Sequence, residues 1–175
     1  MASGDDPQSE HFRRITDELL LLRSEHNDGN LTTLDELALH QSHLAKIEYI
    51  NRACPNLRIL LLQVRSKHRQ ECANPCFSHL IFGAKFKQDN SIERIENLTR
   101  LRSLEYLNLS MNSVERIENL ETCEALERLD LTLNFIGALT EGLTEMAKGN
   151  PHLRELHLTG NPCSKYGCSK EYTIR

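Results

Sequence analysis

An α/β repeat is the fold class this sequence predicts: a solenoid with short parallel strands on its concave face and a helical cap at its N-terminus. Three observations carry it. The frame L-x-x-L-x-L-x-x-N-x-I-x-x-I recurs along the chain, and its best copies stand 22 residues apart. Leucine dominates the apolar residues, while Trp is absent and aromatics make up only 5%. Finally, L-x-x-L-x-L breaks the 3.6-residue spacing that an amphipathic helix would keep. Repetition at a fixed period of roughly 20–29 residues in this pattern is the signature of a leucine-rich repeat.

Residues 1–12 are polar and acidic, with no apolar pattern, and are expected to be disordered. Phe12 to about His26 reads as a helix, with Thr16 as its N-cap and Asp17 and Glu18 in its first turn. Leu19, Leu20 and Leu22 would cover the open end of the first repeat, because a terminal repeat needs a cap. That first repeat is Leu34, Leu37, Leu39, Leu44, Ile47 and Ile50, with Ser42 in the asparagine place.

The second repeat begins with Leu57, Leu60 and Leu62, but the position three residues on is Arg65. Asn90, Ile92, Ile95 and Leu98 supply its missing half. Leu57 stands 47 residues before the equivalent Leu104, which is one repeat of 22 and 25 more. Deleting Val64 to Gln88 joins Gln63 to Asp89 and restores the frame without a slip. This insert carries Arg65, Lys67, Arg69, Lys85 and Lys87 against the single acid Glu71, leaving the rest of the chain near −8. Long surface insertions add little closure entropy, yet a long structureless loop inside a compact unit is unusual. Every Val codon begins with GT, and one Gln codon ends in AG. A block running from Val64 to Gln88 in frame is therefore compatible with a retained intron of 75 nucleotides. That reading ranks before a passive loop, and a basic functional loop ranks third.

The third repeat is Leu104, Leu107, Leu109, Asn112, Val114 and Ile117, and the fourth is Leu126, Leu129, Leu131, Asn134, Ile136 and Leu139. Leu153, Leu156, Leu158 and Asn161 open a fifth. The repeat domain thus spans 13–163, and residues 164–175, short and polar, read as a frayed tail. No repeat can bury its face alone, so the array must fold together. Each asparagine is expected to bond backbone groups where the chain leaves the strand.

The net charge of −4 and pI near 6.1 speak against a nucleic-acid partner. No run approaches the ~18 apolar residues of a membrane span, and the N-terminus has no apolar signal region. A cytoplasmic monomer with free thiols is the expectation.

No P-loop, G-x-S-x-G or H-E-x-x-H sequence occurs. His68, Cys72, Cys76 and His79 match no strong zinc spacing, and Cys163-x4-Cys168 is weaker still. Cys163 reads as packing at the last turn. No catalytic residue, cofactor or metal is expected, and the chain is not read as an enzyme.

What remains is a surface. The residues flanking the second and third leucines point out of the concave sheet, where solenoids bind partners. The candidates are Glu36, His40, Tyr106, Asn108, Arg128, Asp130 and His157. Tyr106, Arg128, Asp130 and His157 rank first, since Tyr and Arg are enriched among interface anchors.

The stretches N-S-I-E-R-I-E-N-L and N-S-V-E-R-I-E-N-L resemble the 22-residue class that includes the leucine-rich regulatory subunit of protein phosphatase 1. EHNDG at 25–29, LDELALHQ at 34–41, LEYLNLSMNSVERIENLE at 104–121, LDLTLNFIG at 129–137 and LTGNPC at 158–163 resemble more closely the tilB (seahorse) family of cilium proteins. The likeness runs from residue 13 to about 166, apart from the insert. It implies a non-enzymatic scaffold for the cytoplasmic assembly of axonemal dynein arms, needed for cilium and flagellum motility. The implied partners are dynein chains, chaperones and other assembly factors. The implied location is the cytoplasm, with the cilium, flagellum or basal body. The alternatives are a regulatory subunit of a protein phosphatase and a structural component of the basal body or axoneme. Family members continue past the repeats into a cap, a charged helical region and a p23-like domain, which this sequence does not contain.

Overall fold

In every repeat the second and third leucines flank one outward residue, and that alternation makes a three-residue strand with two faces. The computed structural model describes residues 13–24, 28–64, 90–166 and 172–173. Strands β1 (Glu36–Ala38), β2 (Ile59–Leu61), β3 (Tyr106–Asn108), β4 (Arg128–Asp130) and β5 (Glu155–His157) stack side by side in one parallel sheet, in chain order. The register puts Leu37, Leu60, Leu107, Leu129 and Leu156 in one row. All five are buried, as are Leu39, Leu62, Leu109, Leu131 and Leu158 behind them, and one apolar core runs the length of the array. The chain is a leucine-rich-repeat solenoid.

Beyond β1, β3, β4 and β5 the chain turns through a residue in the left-handed region. Gln41, Met111, Leu133 and Gly160 take this place, with φ of 55°, 61°, 56° and 78°. The asparagine that follows ties the turn down. Asn134 donates from Nδ2 to the carbonyls of Leu109 and Leu131 (2.9 and 3.1 Å) and accepts from the Val114 N–H (3.0 Å). Asn112 and Asn161 repeat the scheme against their own neighbours. Each of these side chains therefore spans two repeats and pairs backbone groups that would otherwise be buried alone.

Repeat two closes across its interruption. Asn90 donates to Leu39 and Leu62 and accepts from the Leu44 N–H, which is the role of Asn112 one repeat earlier. The joint differs by one residue from the one that starts at Val64. The Val64 N–H donates to Ser110, just as that of Met111 donates to Thr132, and its side chain is buried. Val64 thus belongs to the array, and the rest of the insert lies outside the described residues.

A second ladder runs along the convex side. Asn97 and Asn119, both at φ 60°, donate to the carbonyls of Ile47 and Ile95 at 2.7 Å. Tyr49 holds the same place in the first repeat at φ 66°.

The cap is shorter than its sequence pattern. Helix α1 (Asp17–Arg23) starts at Thr16, whose Oγ1 accepts the Leu19 N–H, and it follows Ile15 into the core. Leu19 and Leu20 are buried, but Leu22 is 77% exposed, so it does not cover the first repeat. The buried stripe lies between Leu19 and Leu20, and Leu22 falls outside it. After α1 come a short 3-10 turn, Leu31–Thr33, and one helical turn, α2 (Ile50–Ala53), behind repeat one.

Repeats three and four begin 22 residues apart, but the fifth begins 27 residues after the fourth. The extra length forms helix α3 (Thr140–Gly149) on the convex side. A Cβ on Gly142 would stand 2.9 Å from Ile117, and one on Gly149 would stand 2.7 Å from the Glu121 Cα. The helix lies that close because both positions lack a side chain. After the 3-10 turn Pro162–Tyr166, strand β6 (Tyr172–Thr173) pairs antiparallel with β5, where a frayed tail was expected. The open edge of the last strand offers unpaired backbone groups, and the tail takes them. Cys163 is buried at this turn and its N–H donates to Ile136.

Candidate functional site

The concave face is set by register. One outward row reads Glu36, Ile59, Tyr106, Arg128 and Glu155, and the next reads Ala38, Leu61, Asn108, Asp130 and His157. His40 follows β1, half-buried at the start of the third row. The seven candidate residues therefore share one face, but they do not form one cluster.

Tyr106, Arg128, Glu155 and His157 are joined. The Arg128 guanidinium lies 5.3 Å from the centre of the Tyr106 ring. It also grips Glu155 with two nitrogens, Nη2 to Oε1 at 3.0 Å and Nε to Oε2 at 2.6 Å. His157 Nε2 stands 3.6 Å from the same Oε2 oxygen. Hydrogen bonding to Arg128 holds the Glu155 carboxyl below its ordinary value and raises Arg128 in turn. Burial, and then the Asp130 charge, push the Tyr106 hydroxyl up.

Asn108 and Asp130 serve their own strands. Asn108 is 9% exposed; its Nδ2 donates to the Tyr106 hydroxyl and its Oδ1 accepts the Ser110 N–H. Asp130 Oδ1 accepts the Thr132 N–H at 2.9 Å. Glu36 is exposed at the far end of the sheet, separated from this network by the half-buried Ile59 and Leu61.

Arg58 and Glu105 were not among the candidates. They pair through two contacts of 2.9 and 3.0 Å at the mouth of the face. Their signal was visible only as opposite charges at the same place in successive frames.

Such a face can offer hydrogen bonds, a cation–ring stack and apolar area to another surface. Among the described residues, no group of three His, Cys, Asp or Glu could hold a metal ion. His68, Cys72, Cys76, His79 and Cys168 lie outside those residues. Cys54 and Cys123 are buried free thiols, and Cys163 is buried as well. No helix among the described residues is long and apolar enough to cross a membrane.

No protein-family model matches the chain. Curated proteins do. Dynein axonemal assembly factor 11 of Danio rerio is 47% identical over 161 residues, which is 92% of this chain and 30% of that protein. The protein of the same name from Trypanosoma brucei brucei is 44% identical over 92% of this chain and 35% of its own length. Protein tilB of Drosophila melanogaster is 47% identical over 91% of this chain and 34% of its own. Among solved structures, an internalin from Listeria monocytogenes aligns with 75% of this chain and 36% of its own, at 22% identity and a TM-score of 0.46. The chain spans about a third of the length of the curated relatives it matches. With this identity over nine-tenths of its residues, and with the frame and its asparagines placed on one solenoid, the chain is in its repeat array a homologue of dynein axonemal assembly factor 11 and tilB.

Proposed function

We propose that this chain is a non-enzymatic scaffold for the assembly of axonemal dynein arms, acting in the cytoplasm in support of cilium and flagellum motility. The observation that carries this reading is the similarity to dynein axonemal assembly factor 11 over nine-tenths of the chain. The array adds to it a concave face whose polar network is presented outward, as a docking surface requires. Glu36, His40, Tyr106, Asn108, Arg128, Asp130 and His157 are the residues assigned to that surface. Its partners are dynein chains, chaperones and other assembly factors, and the chain works as a monomer. It binds no nucleic acid and no membrane.

The test is affinity purification from ciliating cells, combined with depletion. Recovery of dynein chains or assembly factors is expected, with missing dynein arms on depletion and a diffuse cytoplasmic signal. Recovery of a phosphatase catalytic subunit without any dynein chain would overturn the reading. So would a fixed basal-body signal with normal dynein arms after depletion.

A further inference from the structure

The concave face is divided in two. Around β2 it is apolar, with Ala38, Ile59, Leu61 and the Tyr106 ring half-buried, and polar groups stand beyond this patch on both sides. The cations bordering this patch are engaged, Arg58 by Glu105 and Arg128 by Glu155. Two carboxylates are not. Glu36 on β1 and Asp130 on β4 take part in no ion pair among the described residues. They flank the apolar patch from opposite sides, three strands apart. They also stand in neighbouring rows, so three strands at about 4.8 Å and two residues at about 3.3 Å place them roughly 16 Å apart.

We propose that this half of the face binds an extended protein segment of the form basic-x-apolar-x-basic. In an extended chain, residues i, i+2 and i+4 point the same way and span about 13 Å. The long, flexible stem of a Lys or Arg at each end covers the remaining few ångströms and reaches Glu36 and Asp130. The central apolar side chain falls between β2 and β3, on Ile59, Leu61 and the Tyr106 ring. The same charges repel an acidic segment, so specificity comes from sign as well as shape. The proposal rests on the reading of the concave face as the docking surface, and names the chemistry of what docks there.

The experiment is selection of random heptapeptides displayed on phage against the purified full chain, followed by anisotropy titration of the enriched peptides. A basic-x-apolar-x-basic consensus is expected. Its affinity should fall at least tenfold with Leu61→Ser and with the Glu36→Gln, Asp130→Asn pair, and should weaken as salt rises. Circular dichroism checks that each variant is folded; Glu36→Gln alters only an exposed side chain and keeps the test valid if the others unfold. An acidic consensus, no enrichment, or binding indifferent to these substitutions overturns the proposal. So does concentration-dependent self-association lost with Leu61→Ser, which would make a second copy the occupant. If dynein chains still co-purify after such a result, only the peptide chemistry has failed. If peptides are selected but no dynein chain is recovered, only the assembly role has failed.

Discussion

Asn134 shows how one side chain can hold two repeats. It pairs two buried carbonyls and one buried N–H, on repeats three and four. Leaving a buried polar group unpaired costs about 1–3 kcal/mol. We expect Asn134→Ala to destabilise the array by about 3 kcal/mol, read as a lower urea midpoint. Asn134→Asp should not rescue it, because a carboxylate accepts and cannot donate to the carbonyls. This role was legible in the sequence, since the frame fixes the asparagine's distance from its leucines. The role of the convex pair, Asn97 and Asn119, is not legible in the same way, although E-N-L recurs in both repeats. Its meaning is a left-handed backbone, which periodicity does not report. The cysteines carry a second expectation at this scale. Burial, aided by Asp17, pushes the Cys54 thiol up to about 11, and burial with Glu121 does the same for Cys123. Between pH 9 and 11 the unfolded chain gives up protons that the folded chain keeps. The contribution of these two thiols to stability should therefore fall as pH rises through that window, measured as unfolding midpoint against pH. Iodoacetamide at pH 8 should label both residues only after denaturant is added.

Helix α3 depends on two residues that lack side chains. Gly142 and Gly149 are seven residues apart, on one helical face with the buried Met146 between them. By intrinsic propensity, Gly→Ala in a helix should stabilise by about 1 kcal/mol. Here the new methyl would meet backbone at 2.7 Å, and overpacking costs typically 1–3 kcal/mol. We expect Gly149→Ala to lower the melting temperature, with Gly137→Ala as the control, since a Cβ there meets nothing within 4 Å. The strands were legible because apolar and outward residues alternate in them. The helix was visible only as a gap of 27 residues where 22 were due. The candidate site was legible as a row of outward positions, but its pairing was not. Side-chain length and rotamer, not spacing, decide that Arg128 turns to Glu155 and lies over Tyr106. The sequence overstates the reach of α1 for a related reason, as Leu22 continues a run of leucines while facing away from the core.

The whole array rejoins across its interruption, and the joint can be tested from either side. Removing residues 64–88 leaves Asp89 before Asn90, whereas removing 65–89 leaves Val64 there. The equivalent residues in other repeats have positive φ. Asp tolerates that conformation, and a β-branched residue strongly disfavours it. Both deletions should fold, and the first should be more stable by about 1 kcal/mol in urea unfolding. Equal stability, or the reverse order, would mean that the turn before Asn90 is not left-handed. Sequence alone fixed the length of the interruption, because the frame on both sides counts it. It left the exact joint open by one residue, because the two choices preserve every leucine. The asparagine ladder has one more consequence, for a chain made from one end. Each asparagine reaches back to the repeat before it, so a repeat is finished only when its successor has been synthesised. The Leu109 carbonyl waits 25 residues for Asn134, but the Leu39 carbonyl waits 51 for Asn90. At about 5–20 residues per second, the first repeat, like the second, whose Leu62 carbonyl waits 50 residues for Asn112, leaves the ribosome unfastened for roughly 1–5 s longer than the third. During that interval its leucines are the surface a chaperone would meet first.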